Sequence, residues 1–220
     1  MIRVKICGVT TVEDARLAAE LGAVAIGLVL WPGSPRVVEL ERAKAIVAAL
    51  PPLVSAVGVF VDQQDEAERI ARETGLTAVQ FHGDEAPGSY RAFPIRVIKA
   101  VTVRDRSARD EAAAVPANAT VLLDAHDRVT RGGTGRVIDW SIAAMIARER
   151  PVILSGGLTA GNVAEAVAAV RPYAIDVSSG VESAPGRKDP AKLRALFDAL
   201  RAADHADHGR GPRGPRGRDL

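Results

Sequence analysis

The sequence predicts a single (β/α)₈ barrel, and three observations carry that prediction. Strand-like apolar runs alternate with helix-like patterns eight times along about 200 residues, the number of units that closes such a barrel. Each unit takes roughly 25 residues, about the minimum for a strand and its crossover helix. The alternative, a doubly wound open sheet, usually has fewer units and a glycine-rich nucleotide fingerprint after its first strand; Cys7-Gly8-Val9-Thr10 lacks that fingerprint.

The elements follow in order. Ile2-Arg3-Val4-Lys5-Ile6 is a strand pattern that ends in Cys7, with Gly8 as the turn and Thr10 and Thr11 as caps for the next helix. Thr11 to Leu21 is that helix, ended by Gly22. Ala23 to Leu30 is a continuous apolar run, as expected of a strand buried on both faces. A turn-rich segment through Arg36 leads to a helix from Glu39 to Leu50, stopped by Pro51-Pro52. Leu53–Val61, Thr77–His82, Ile95–Val101 and Thr120–Asp124 read as strands three to six. Between them lie helices over Gln64–Thr74, a short and weak one over Asp84–Phe93, and Arg104–Val115. A polar, glycine-rich loop runs from Ala125 to Arg136, and its stretch Arg131-Gly132-Gly133-Thr134-Gly135-Arg136 reads as a mobile lid or a plain connection. Asp139–Arg148, Thr159–Val170 and Asp189–Ala202 are the last helices, around strands Val152–Ser155 and Tyr173–Ser178. Asp189 is placed to cap the final helix, with Pro190 at its first position. The barrel domain is thus expected over residues 1–202. The polar stretch 203–220 is low in apolar residues and is expected to be disordered.

Composition narrows the class. Of 220 residues, 47% are hydrophobic, enough for a large core. The formal net charge of +2 makes no case for nucleic acid or membrane as partner. A single cysteine cannot form an internal disulfide, which suits a reducing compartment. No signal-peptide pattern opens the sequence, and no apolar run approaches the roughly 20 residues of a membrane helix. The expectation from composition is a cytoplasmic protein, taken as a monomer or a homodimer; a phosphorylated small molecule as its partner is implied by the glycine turns and the resemblance given below.

Barrel active sites lie at the carboxyl ends of the strands, and strand residues two apart share a face. Cys7, His82, Asp124 and Asp176 each end or nearly end a strand, so they are expected to converge on one mouth. Lys5 shares the face of Cys7 and is either the charge that lowers its pKa or one half of an internal ion pair. Asp124 follows Val121-Leu122-Leu123, where a carboxylate is costly to bury without a partner. Asp176 is open to the same argument, or is the partner of Lys5 or Lys99. His82 and Asp176 are expected to bind substrate at that mouth; the bland reading of His82 is a hydrogen-bonded strand cap. Gly156 and Gly157 follow the seventh strand and Ser178, Ser179 and Gly180 the eighth, where barrels often hold phosphate on backbone N–H groups. Arg36 has a planar fork suited to a carboxylate, or is a solvated loop arginine.

Lys5-Ile6-Cys7-Gly8, Gln80-Phe81-His82-Gly83, Leu122-Leu123-Asp124, Gly132-Gly133-Thr134-Gly135, Leu154-Ser155-Gly156-Gly157-Leu158 and Asp176-Val177-Ser178-Ser179-Gly180-Val181-Glu182 together resemble phosphoribosylanthranilate isomerase. They stand in that family's order from Val4 to about Leu200, and the first and last are the most specific. The resemblance implies a barrel that converts N-(5-phosphoribosyl)anthranilate to 1-(2-carboxyphenylamino)-1-deoxyribulose 5-phosphate in tryptophan synthesis, with neither cofactor nor metal. It implies a base at Cys7, an acid at Asp124, a carboxylate-binding Arg36, and phosphate at Gly156-Gly157 and Ser178-Ser179-Gly180. Three other readings compete. The histidine-pathway isomerase has similar chemistry but resembles a design with aspartate in place of Cys7. A silent barrel would bind phosphorylated ligands without turnover. A Schiff-base aldolase would use Lys99.

Overall fold

The computed structural model describes residues 2–90, 92–125 and 137–208. Eight parallel strands close into a barrel: β1 Arg3–Cys7, β2 Ala25–Val29, β3 Ser55–Phe60, β4 Ala78–Phe81, β5 Arg96–Thr102, β6 Ala119–Asp124, β7 Val152–Leu154 and β8 Ala174–Val177. Closure is made by β1 against β8, in a register that sets Lys5 beside Asp176. The crossover helices are α1 Val12–Leu21, α2 Leu40–Ala48, α3 Gln64–Thr74, α4 Ala108–Ala114, α5 Trp140–Ala147 and α6 Val163–Val170, with α7 Pro190–His208 completing the ring. The fold class read from the sequence is the one observed.

Local chemistry sets the boundaries. Thr11 caps α1 by accepting from the Asp14 amide at 3.1 Å, and Gly22 ends the helix at φ 115°, a left-handed conformation that glycine adopts without strain. Asp189 Oδ1 accepts from the amides of Ala191 (2.8 Å) and Lys192 (3.2 Å), as an N-cap does.

Three features depart from the sequence reading. Between β4 and β5 the structure has only a 3₁₀ turn, Pro87–Tyr90, where a helix over Asp84–Phe93 was expected. Proline lacks the amide that would start helical bonding, and Gly88 adds backbone freedom. After β8 a 3₁₀ turn, Ser179–Val181, leads into a small hairpin, β9 Glu182–Ala184 and β10 Arg187–Lys188, turned by Pro185-Gly186. Helix α7 continues to His208, beyond the expected end at Ala202. The stretch expected to act as a lid, 131–136, falls within residues 126–136, which with the end of the tail, residues 209–220, lie outside the described residues.

The core has two parts. The larger lies between sheet and helices and includes Ile6, Ile26, Phe60, Phe81, Leu123, Leu154 and Phe197, all essentially inaccessible to solvent. The smaller fills the barrel itself with Val57, Ala78, Ile98, Leu122, Ile153 and Ala174. Apolar packing plugs the barrel below its mouth, so polar groups further along the same inward faces are held at its carboxyl end.

Candidate active site

Alternation along each strand decides which side chains reach that end. Leu122 belongs to the barrel interior, so Asp124, two residues on, shares its inward face; Ala174 does the same for Asp176, and Ala78 for Gln80. Cys7 packs with Val29, Val59 and Trp31 in a separate small cluster. Each of these polar residues is buried: Gln80 is 1% exposed, Asp176 5%, and Cys7 and Asp124 8%. Inward position and burial therefore bring Cys7, Asp124 and Asp176 to one end of the barrel.

At the β1–β8 seam, Lys5 Nζ donates to Asp176 Oδ2 at 3.0 Å, a pair with almost no solvent access. The second Asp176 oxygen, Oδ1, is buried without a hydrogen-bond partner. Of the two readings of Lys5, the internal ion pair is realised, yet Lys5 also acts on Cys7. Burial pushes the Cys7 thiol above its ordinary pKa, outweighing the downward pull of Lys5 and Lys188. Burial likewise lowers Lys5, but Asp176 and Cys7 outweigh it and leave that ammonium above its usual value. Sequence reasoning counted the positive charge near Cys7 and left out the opposing cost of desolvation. Gly27, beside Cys7 in β2, makes room for this cluster: a Cβ there would stand 2.8 Å from Cys7 Sγ and 3.1 Å from Lys5 Nζ.

Arg36 is buried, not solvated, and its fork already holds a carboxylate. Nε donates to Glu182 Oε1 at 2.9 Å and Nη2 to Glu182 Oε2 at 2.7 Å. The arginine stem lies over Gly8, where a Cβ would come within 2.6 Å of Arg36 Cδ. Glu182 Oε1 also accepts from Lys188 Nζ at 2.8 Å, and Lys188 donates to the Cys7 carbonyl at 2.5 Å and the Ser178 carbonyl at 3.3 Å. The sequence reading assigned no role to Glu182 or Lys188. Glu182 closes a quoted motif, which was a signal; Lys188 stands alone in sequence and reaches the site only through the hairpin.

Asp124 accepts at both oxygens. Its Oδ1 receives the Ala125 amide at 2.9 Å, and Oδ2 lies 3.2 Å from His82 Nε2. Gln80 Nε2 lies 2.8 Å from His82 Nδ1. An amide nitrogen only donates, so Nδ1 accepts and Nε2 carries the hydrogen that faces Asp124. His82 is thus brought to the carboxylate. Behind it, buried Glu85 accepts from the Asp62 and Gly83 amides and pairs with Lys99 at 2.8 Å, while Lys99 donates to the Gly83 carbonyl at 2.6 Å. Lys99 is therefore engaged in an ion pair that ties the loops after β3 and β4, which removes the sequence basis for an aldolase.

The glycine turns stand at the carboxyl ends of adjacent strands. Gly156 and Gly157 both have positive φ, 89° and 63°, so the turn after β7 needs glycine. Asn162 braces it, donating to the Gly157 carbonyl at 2.9 Å and accepting from the Thr159 amide at 2.8 Å. Ser178 precedes the 3₁₀ turn that contains Ser179 and Gly180. Among the described residues no cluster of three or more histidine, cysteine, aspartate or glutamate side chains could hold a metal, and no helix is long and apolar enough to cross a membrane.

Comparison with known proteins gives a consistent result. The profile described as N-(5'phosphoribosyl)anthranilate (PRA) isomerase matches residues 4–199. The N-(5'-phosphoribosyl)anthranilate isomerase of Geobacter metallireducens is 48% identical over 203 residues, covering 92% of this chain and 100% of that one. The crystal structure of phosphoribosyl anthranilate isomerase from Thermus thermophilus superposes with a TM-score of 0.83 at 45% identity, covering 91% of this chain and 99% of that one. A phosphoribosyl anthranilate isomerase in complex with reduced 1-(o-carboxyphenylamino)-1-deoxyribulose 5-phosphate superposes with a TM-score of 0.82 at 39% identity, covering 92% of this chain and 100% of that one.

Proposed function

The chain belongs to the N-(5'-phosphoribosyl)anthranilate isomerase family and is an isomerase of tryptophan biosynthesis, and from that premise we propose that Cys7 is the base and Asp124 the acid of an Amadori rearrangement. The substrate is N-(5-phosphoribosyl)anthranilate and the product 1-(2-carboxyphenylamino)-1-deoxyribulose 5-phosphate.

The chemistry runs in two proton transfers. Asp124, protonated, gives its proton to the furanose ring oxygen as the C1–O bond breaks, and the amine nitrogen lone pair forms an iminium at C1. The C2 hydrogen, acidified by that iminium, passes to the Cys7 thiolate, and its bonding pair makes an enolamine that tautomerises to the ketone. Each transfer is worth roughly 10²–10⁴-fold. The observation that carries this reading is the burial of one thiol and one carboxyl group, on β1 and β6, at the same end of a plugged barrel.

The surroundings suit the assignment. Lys5 and Lys188 pull the Cys7 thiol down, less than burial pushes it up, so the base is the thiolate fraction that this pull sustains. Arg36 keeps its Nη1 edge for the anthranilate carboxylate while Nε and Nη2 stay on Glu182. Gly156, Gly157, Ser178, Ser179 and Gly180 hold the phosphate through backbone amides. Asp176, with Oδ1 unpartnered, receives a sugar hydroxyl, and His82 steadies Asp124 beside the ring.

The test is turnover of the fluorescent anthranilate substrate by Cys7→Ala and Asp124→Ala. Both variants should fold and lose activity by at least about 10³-fold. Near-normal kcat in either variant excludes its assigned role, and turnover of the histidine-pathway substrate in its place excludes the substrate.

A further inference from the structure

Two buried charges, Glu182 and Lys188, stand outside the chemistry just assigned. The Lys188 side chain has no solvent exposure, and Glu182 has 4%. Removing a lysine from water is costly unless every donor is paired, and here three acceptors surround the ammonium: the carbonyls of Cys7 and Ser178 and the carboxylate of Glu182. Two of these acceptors belong to strand ends that form the site, and the third is the same carboxylate that grips Arg36.

Charged groups reach the Cys7 region from several elements. From β1 comes Lys5, from β8 Asp176, from the loop after β2 Arg36, and from the terminal hairpin Glu182 and Lys188. Gly27 on β2 adds no charge. Asp14 of α1 also belongs here, its Oδ2 accepting from the Lys188 amide at 3.3 Å, so the wider cluster is balanced; the charged groups that act on the thiol itself are Lys5, Asp176 and Lys188. Asp176 is paired with Lys5, and Glu182 is shared between Arg36 and Lys188; of these cations Lys188 is the one that also holds the Cys7 carbonyl.

Resting on the reading of Cys7 as the base, we propose that Lys188 is a positioning residue for the isomerisation. Its buried ammonium pins the Cys7 backbone and keeps a cation near the thiol that favours the thiolate. Glu182 holds that ammonium and the Arg36 guanidinium in one cluster. The downward pull of Lys188 on the Cys7 thiol accords with this geometry.

The chain has one cysteine, so the rate of alkylation by iodoacetamide as a function of pH reports Cys7 alone. Lys188→Met should raise the alkylation midpoint by about one unit or more, and the acid limb of the kcat/KM profile should rise with it. Lys188→Arg, which keeps the charge, should bring both back towards the parent. Glu182→Gln removes a negative charge and should move the midpoint the opposite way, downward. A cluster that only props up the fold would not give shifts of opposite sign. If both variants fold and the midpoint stays in place, or moves the same way in both, the proposal is overturned. If the midpoint moves as expected while the kcat/KM profile does not, Lys188 still governs the thiol and it is the assignment of Cys7 as base that fails. Should Lys188→Met not fold, Glu182→Gln alone decides by the direction of its shift.

Discussion

His82 Nε2 lies 3.2 Å from Asp124 Oδ2, and Gln80 on the far side of the imidazole fixes which nitrogen carries the hydrogen. A histidine held in this way orients a carboxyl group. A histidine that served chiefly as a substrate ligand would affect binding instead. Replacement by alanine should therefore lower kcat by about 10- to 100-fold with KM little changed, the signature of misplaced chemistry. A raised KM at unchanged kcat would assign His82 to binding alone. Gln80→Leu should produce a weaker effect of the same kind, since it releases the tautomer without removing the ring.

Under the proposal, Arg36 divides its guanidinium between Glu182 and the substrate carboxylate. Arg36→Lys loses the two-pronged hold on Glu182, because an ammonium is a point charge without a planar fork. Steady-state kinetics should show KM for the anthranilate substrate raised by at least about tenfold, with a smaller change in kcat. A product analogue that lacks the carboxylate should bind parent and variant with similar affinity. Equal weakening for both ligands would show that Arg36 acts through the fold rather than through the carboxylate.

Stability should respond to the second ion pair. Glu85→Ala strands the buried ammonium of Lys99 and frees the Asp62 and Gly83 amides. Breaking a buried pair from one side typically costs about 3–5 kcal/mol, and urea unfolding should register a loss of that size. Glu85→Gln, which can still bond the amides, should lose less. A loss under about 1 kcal/mol for Glu85→Ala would mean that Lys99 finds water instead.

Glu182 gives the pH dependence a sign. Burial pushes its carboxyl up, but Arg36 and Lys188 outweigh burial and hold it below the ordinary glutamate value of 4.5. A carboxyl group depressed on folding contributes stability that is fully present above its unfolded pKa and lost as pH falls through the folded one. The difference in unfolding free energy between the parent and Glu182→Gln should thus be constant near neutrality and shrink below about pH 4.5. A difference that grows on acidification would contradict the assigned pairing.

Much of this was legible in the sequence because barrel chemistry is written at strand ends. Apolar runs that stop in Cys7, His82, Asp124 and Asp176 mark both the strands and the mouth, and Gly156-Gly157 marks a turn with its own conformational demand. What stayed hidden depends on distance in sequence. Lys188 meets the Cys7 carbonyl across 181 positions, and Arg36 meets Glu182 across 146, so no local pattern announces either contact. The fourth helix was expected from a count of units; Pro87 and Gly88 reduced it to one 3₁₀ turn. The resting state of Cys7 was misjudged for a different reason: charges can be counted from a sequence, whereas the cost of desolvating the thiol appears only once the barrel closes around it.

The most direct test is a structure of this chain with the reduced product analogue bound. Cys7 Sγ should lie within about 3.5 Å of the sugar C2 on one side, and an Asp124 oxygen within hydrogen-bond reach of the former ring oxygen on the other. The phosphate should lie against the amides after β7 and β8. Sulfur and carboxylate on the same side of the sugar, or either one turned away from it, would contradict the division of acid and base between these two residues.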